Sequence, residues 1–166
     1  MKPVFGYECY ADRDVFRFLR QATGRPMKDF HGYGQGDVLN ALLVKRTIAL
    51  GMVDEDPRST HHRLRDSMKV VRATKDFELR ESQGRYLAIV KPELEEAFVN
   101  ACKLLGVVSS LPRDPSKMRR ALLPPSSSSH NLFVQELLQL HAEATARRQE
   151  IFLTELIAMI EKVPNQ

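Results

Sequence analysis

The sequence predicts an α/β domain: a mainly parallel sheet of about four or five strands flanked by helices, with a C-terminal helical extension. Three observations lead there. Short β-prone runs at 3–9, 27–31 and 47–53 alternate with segments whose apolar residues recur at helical spacing. The third run is nearly all apolar, as expected of a parallel strand covered on both faces. Beyond residue 108 the composition turns to Pro and Ser, and then to a long stretch of helical periodicity.

Taken in order, residues 3–9 predict a short buried strand. Asp12 to about Gln21 predicts a helix with Val15, Phe16, Phe18 and Leu19 on its apolar face, ended by Gly24-Arg25-Pro26. A second strand near 27–31 runs into Gly32-Tyr33-Gly34-Gln35-Gly36-Asp37, followed by a helix from Val38 to about Lys45. No Gly-Lys-Ser/Thr follows those glycines, so they suit a tight strand-to-helix connection better than a phosphate loop. Strand, helix, strand, helix, strand calls for right-handed crossovers and a parallel core.

Residues 57–80 are basic, and a helix is expected around Thr60–Val71. Phe77–Glu81 and Arg85–Val90 suit a hairpin turning at Ser82-Gln83-Gly84. Pro92 and the acids after it open a helix from Glu93 to about Leu105, and Gly106 stops it. Arg119–Leu123 suits one short helical turn within a Pro- and Ser-rich stretch. From Asn131 to about Lys162 the chain predicts one long helix, or two broken near Ala144–Arg147. The organisation expected is therefore an α/β domain over 1–108, a connector over 109–130 and a helical tail over 131–166.

Composition bounds the function. Apolar content of 43% and charged content of 28% are ordinary for a soluble globular chain of 166 residues. A net charge of +4 and a pI near 9.2 favour a polyanionic partner. No run approaches the roughly 20 apolar residues of a membrane span, and the N-terminus lacks the pattern of a signal peptide. Two cysteines, Cys9 and Cys102, suggest a reducing, cytoplasmic setting, and nowhere are there enough grouped soft ligands for zinc.

The strongest functional signal is acidic. Val4-Phe5-Gly6-Tyr7 runs into Glu8, with Asp12 four residues on; Ile48–Val53 runs into Asp54-Glu55-Asp56. Both deliver carboxylates where the chain leaves the sheet, the edge at which open α/β sheets bind ligands. Carboxylates gathered there repel one another unless a hard cation such as Mg²⁺ lies between them. This combination suggests metal-assisted phosphate chemistry. Asp12 also suits a helix-capping role, and Asp54 and Asp56 also suit a turn before Pro57.

These residues resemble the motifs of TOPRIM domains, a Rossmann-like fold, in their small nuclease or OLD-type branch. Glu8-Cys9-Tyr10-Ala11-Asp12 is similar to the opening motif, and Asp54-Glu55-Asp56 to the Asp-x-Asp after the third strand. The likeness spans about residues 3–106 in element order. It implies Mg²⁺, or else Mn²⁺, held by Asp54 and Asp56, with Glu8 as general acid/base or ligand and Asp12 in support. By the same resemblance Glu95 is a secondary candidate ligand, although acids in the first turn of a helix also satisfy its dipole. The implied activity is phosphodiester cleavage or transfer on nucleic acid, DNA before RNA. Cys9 departs from the pattern, standing where the family has glycine. The alternative is therefore a catalytically inactive binding or assembly subunit. A receiver-type phosphoacceptor pattern, with Asp12, Asp54 and Lys91 in order, fails on spacing and leaves Glu8 without a role.

Two surfaces complete the expectation. Arg58, Arg63, Arg65 and Lys69 follow the acidic motif and suit a nucleic-acid backbone, or else a solvated helix face. Leu137, Leu140, Phe152, Leu156 and Ile160 form a stripe suited to a homodimer or partner helix, or to packing back on the protein itself.

Overall fold

A computed structural model describes residues 3–164; the outermost two residues at each end, including those of the first and last predicted segments, lie outside the described residues. The strands are β1 (Val4–Tyr7), β2 (Lys28–His31), β3 (Leu50–Asp54), β4 (Lys69–Ala73), β5 (Phe77–Ser82) and β6 (Arg85–Val90). The helices are α1 (Tyr10–Thr23), α2 (Gln35–Leu39), α3 (His62–Asp66), α4 (Leu94–Leu105), α5 (Pro115–Leu122), α6 (Ser129–Ala146) and α7 (Phe152–Lys162). A π-helical turn over Asn40–Val44 prolongs α2. They form one six-stranded sheet in the order β2-β1-β3-β6-β5-β4. The first four strands in that order pair in parallel, and β6-β5-β4 is an antiparallel meander.

The α/β class and largely parallel core agree with expectation, but there are six strands rather than four or five. The extra strand is β4, which begins where the sequence predicts the last turn of a helix over Thr60–Val71. That helix stops at Asp66. The β-branched pair Val70-Val71 instead enters an exposed edge strand, paired with β5 across an irregularity between Val70 and Arg72. A helix-compatible composition yields here to long-range pairing, which no local pattern announces. The β5–β6 hairpin forms as expected, with Gln83 and Gly84 both left-handed at φ 50° and 74°.

The two faces of the sheet are covered unequally. On one, α1 packs against α6 and α7, and α4 against α5 and α6, around Phe5, Phe18, Met52, Phe98, Phe133 and Leu156. The other carries a smaller cluster in which Val38, Leu39 and Leu42 cover Val53, Leu87 and Ile89. Gly6 and Gly51, opposite one another on β1 and β3, make that second contact close. A Cβ on Gly6 would stand 2.5 Å from Ile48 Cδ1, and one on Gly51 2.9 Å from Val38 Cγ1.

The C-terminal stripe is buried in this core: Leu137, Leu140, Leu156 and Ile160 are fully enclosed and Phe152 nearly so. The apolar face offered by the sequence to a second copy is thus covered by the protein's own α1 and sheet. The chain breaks between α6 and α7, where Arg148 is left-handed at φ 53°. The stretch expected as connector also contributes structure. Asp114 caps α5 by accepting the Lys117 N–H at 3.0 Å, and Met118 and Leu122 are buried.

Candidate active site

From β1 the chain crosses through α1 to β2 on one side, and from β2 it returns to β3 on the other side of β1. The carboxyl ends of β1 and β3 therefore flank the point where the winding reverses, and a crevice opens there. A cleft of about 680 Å³ occupies this place, lined by Glu8, Cys9, Tyr10, His31, Asp54, Asp56, Arg58, Glu93, Glu95 and Arg119 among others.

Three carboxylates, those of Glu8, Asp54 and Glu95, line it, and a fourth, Asp12, is buried behind them. Glu8 follows β1, and its Oε1 accepts the Asp54 N–H at 2.8 Å, tying together the ends of β1 and β3. Asp54 closes β3, and its Oδ1 accepts the Leu94 N–H at 2.9 Å, docking the start of α4 onto the strand end. Glu95, in the first turn of α4, is 4% exposed. Asp12, in the first turn of α1, is 1% exposed, and its Oδ2 accepts the Cys9 and Glu8 N–H groups at 3.2 and 3.4 Å. Its Oδ1 is buried without a hydrogen-bond partner. Asp12 therefore caps α1 with one oxygen and presents the other to the acidic cluster.

The carboxylates raise one another's proton affinity. Burial first, and then the charge of Glu8, push the Asp12 carboxyl up to about 8, with Glu95 adding to the rise. Asp54 stands well above the ordinary carboxylate range through burial, reinforced by Asp12, Glu95 and Glu8. Burial raises Glu8 too; the Asp54 N–H opposes the rise and Asp56 adds to it. Glu95 is raised by burial. Such a group keeps one or more protons unless a cation lies among its oxygens.

The remaining predicted residues divide. Asp56 lies exposed at the rim, where its Oδ1 accepts the Arg58 N–H at 2.8 Å. Arg58 lines the cleft, but the rest of the basic run does not. Arg63 is exposed on α3, Arg65 pairs with Asp66 at 3.7 Å, and Lys69 stands on β4 opposite Glu81. The helix expected to carry these charges as one surface ends before Lys69, which disperses them. Two cleft residues, Arg119 and His31, and one of the adjoining groove, Gln35, escape the sequence reading. Arg119 of α5 pairs with Glu93 and reaches Glu95 Oε1 at 3.9 Å; His31 ends β2; Gln35 donates to the Asp54 carbonyl at 3.0 Å and accepts the Ser59 hydroxyl.

The donors suit a hard cation, being oxygens only, and the unpartnered Asp12 Oδ1 is the kind of buried atom a cation or its water relieves. As placed, no three His, Cys, Asp or Glu side chains among the described residues stand close enough to enclose one ion. Among the described residues no helix is long and apolar enough to cross a membrane. Comparison with family models, with curated proteins and with solved structures returns no match for this chain.

Proposed function

We propose that this protein cleaves or transfers phosphodiester bonds in nucleic acid, with Mg²⁺ or Mn²⁺ at the cleft between β1 and β3. The observation that carries the reading is the convergence of Glu8, Asp12, Asp54 and Glu95 at a topological switch point, with one buried Asp12 oxygen unpartnered. TOPRIM-type chemistry is the kind this reading implies.

Asp54, Asp56 and Glu95 are the residues that would hold the ion, which would supply charge neutralisation on the phosphate and an activated water. Glu8 is the proton acceptor. Its raised proton affinity moves it in the direction that general acid/base work near neutral pH requires, and the Asp54 N–H orients its carboxylate. Asp12 positions Glu8 by holding the backbone N–H groups of Glu8 and Cys9. Arg58 at the rim and Arg119 beside Glu95 place positive charge where a phosphate backbone would cross.

Calorimetric titration with Mg²⁺ and Mn²⁺, comparing wild type with Asp54→Ala/Asp56→Ala, is the first test, followed by cleavage assays on DNA and RNA. Cation binding and cleavage that are both lost in the double variant support the proposal. A wild type that neither binds the cation nor cuts would overturn it and favour the inactive assembly subunit, to which Cys9 in the motif also points.

A further inference from the structure

Beside the acidic cleft, at the β2 edge of the sheet, runs a row of rings. Tyr7 is buried, and its hydroxyl donates to Asp29 Oδ2 at 2.7 Å, which holds the inner ring. His31 stacks on Tyr7 with centroids 5.2 Å apart and planes inclined by 25°. Tyr33 stacks on His31 at 6.0 Å and 26°. Tyr10 meets His31 from the cleft side at 5.2 Å, and the Arg13 guanidinium lies 5.0 Å from the Tyr10 ring centre. The row thus passes from the core to the surface and ends in Tyr33, which is 96% exposed.

An aromatic ring left that open forgoes the burial, full or partial, that stabilises every other Phe and Tyr among the described residues. It is also held in place. The Tyr33 N–H donates to Asp37 Oδ2 at 3.0 Å, and Gly34 follows at φ 151° and ψ 176°, a conformation that glycine adopts readily. Tyr10 and His31 line the acidic cleft, Tyr33 lines the groove next to it, and Asp56 and Arg58 belong to both. A ligand on Tyr33 would therefore be continuous with one at the acids.

Resting on the phosphodiester reading above, we infer that Tyr33, His31 and Tyr10 form a stacking platform for unpaired nucleotides and feed a single strand of nucleic acid into the acidic cleft. The chemistry favours this occupant. A nucleobase offers a flat π-face of matching size, Arg58, which lines both the cleft and the groove, offers a cation to the intervening phosphates, and the acids offer the reacting centre. In a duplex the base faces are already stacked on one another, so only unpaired nucleotides can use the rings. The basic run at 58–80 contains a single aromatic residue, Phe77, and that one is buried, so stacking falls to this edge instead.

The test is fluorescence anisotropy of a short labelled oligothymidylate, and of a duplex of equal length, in EDTA so that no cleavage occurs. Wild type should bind the single strand more tightly than the duplex. Tyr33→Ala, at an exposed position where folding is insensitive, should weaken single-strand binding by roughly 5- to 150-fold while leaving the duplex unchanged. Tyr33→Trp should retain it. Glu8→Gln should lose cleavage in Mg²⁺ but keep oligothymidylate binding, which separates the platform from the acids. Single-strand affinity unchanged in both Tyr33→Ala and Tyr10→Ala, or wild-type preference for the duplex, would overturn the platform even if acid-dependent cleavage stood. Tyr33-dependent binding without any Mg²⁺-dependent cleavage would uphold the platform and remove the phosphodiester reading.

Discussion

Asp12 and Asp14 lie two residues apart on α1, at 1% and 0% exposure, and face opposite sides of the helix. Asp14 turns toward the segment that leads into α6. There it meets His130 Nδ1, while His130 Nε2 donates to the Pro124 carbonyl at 2.7 Å. Burial raises the Asp14 carboxyl, but His130, Arg17 and Arg13 all pull it back. Asp12 turns toward the sheet edge, where it meets Glu8, Asp54 and Glu95, and each of these charges compounds the effect of burial. The same side chain on the same helix is an anchor in one direction and part of an electrostatically loaded site in the other. What distinguishes them is the company the fold provides, not burial, which is nearly equal.

The contrast can be broken most strongly at the paired acid. Asp14→Ala removes one member of a buried pair and strands the other, which should cost about 3–5 kcal/mol in urea unfolding and free the 124–130 segment to proteolysis. A loss below about 1 kcal/mol would mean that the pair anchors nothing.

The next effect is a pH profile of stability in EDTA. Glu8, Asp12, Asp54 and Glu95 each bind a proton more tightly in the folded than in the unfolded chain. Their contribution is therefore fully present below about pH 4 and is lost as pH rises through the folded values, about 8 for Asp12. Stability should fall by about 2–4 kcal/mol from pH 5 to 8. Added Mg²⁺ should restore more of it at pH 8 than at pH 5. A flat profile would show that the acids do not share one low-dielectric site.

Asp12→Asn sharpens the comparison from the other side. The amide oxygen can still accept the Cys9 N–H, and the charge is gone, so the variant should gain about 1–2 kcal/mol at pH 8 in EDTA. In thermal melts that is roughly 2–8 °C for a domain of this size. Destabilisation at every pH would make Asp12 a capping residue and nothing more. The smallest change is expected from Arg119→Ala. Its guanidinium is half-exposed beside Glu93 and Glu95, so its loss should cost no more than about 1 kcal/mol, diminishing further in salt.

Much of this site is visible in local sequence. Glu8 and Asp54 each end a β-prone run, and a strand that stops in an acid states both position and chemistry within a few residues. Asp12 and Glu95 carry a weaker signal, since an acid in the first turn of a helix serves the dipole whether or not it also serves a site. The basic run shows the opposite failure: its charge is plain, but its direction depends on where α3 ends. Because Lys69 leaves the helix for β4, only Arg58 of the four predicted cations reaches the cleft. Nothing near Arg119, His31 or Tyr33 connects them with residues 8 and 54, because what joins them is the crossing of β1 by the rest of the sheet.

Periodicity and strand-end chemistry are short-range properties, expressed over one or two turns of helix or a few residues of strand. From them follow the α/β class, the parallel start of the sheet, the β5–β6 hairpin and the acidic character of the strand ends. Strand order, the pairing that makes Lys69–Ala73 a strand, the return of α6 and α7 onto α1, and the meeting of residues 8, 12, 54 and 95 are long-range. They arise because burying both sheet faces at once leaves few ways to close the chain, and that closure brings together carboxylates that would otherwise stay apart in water.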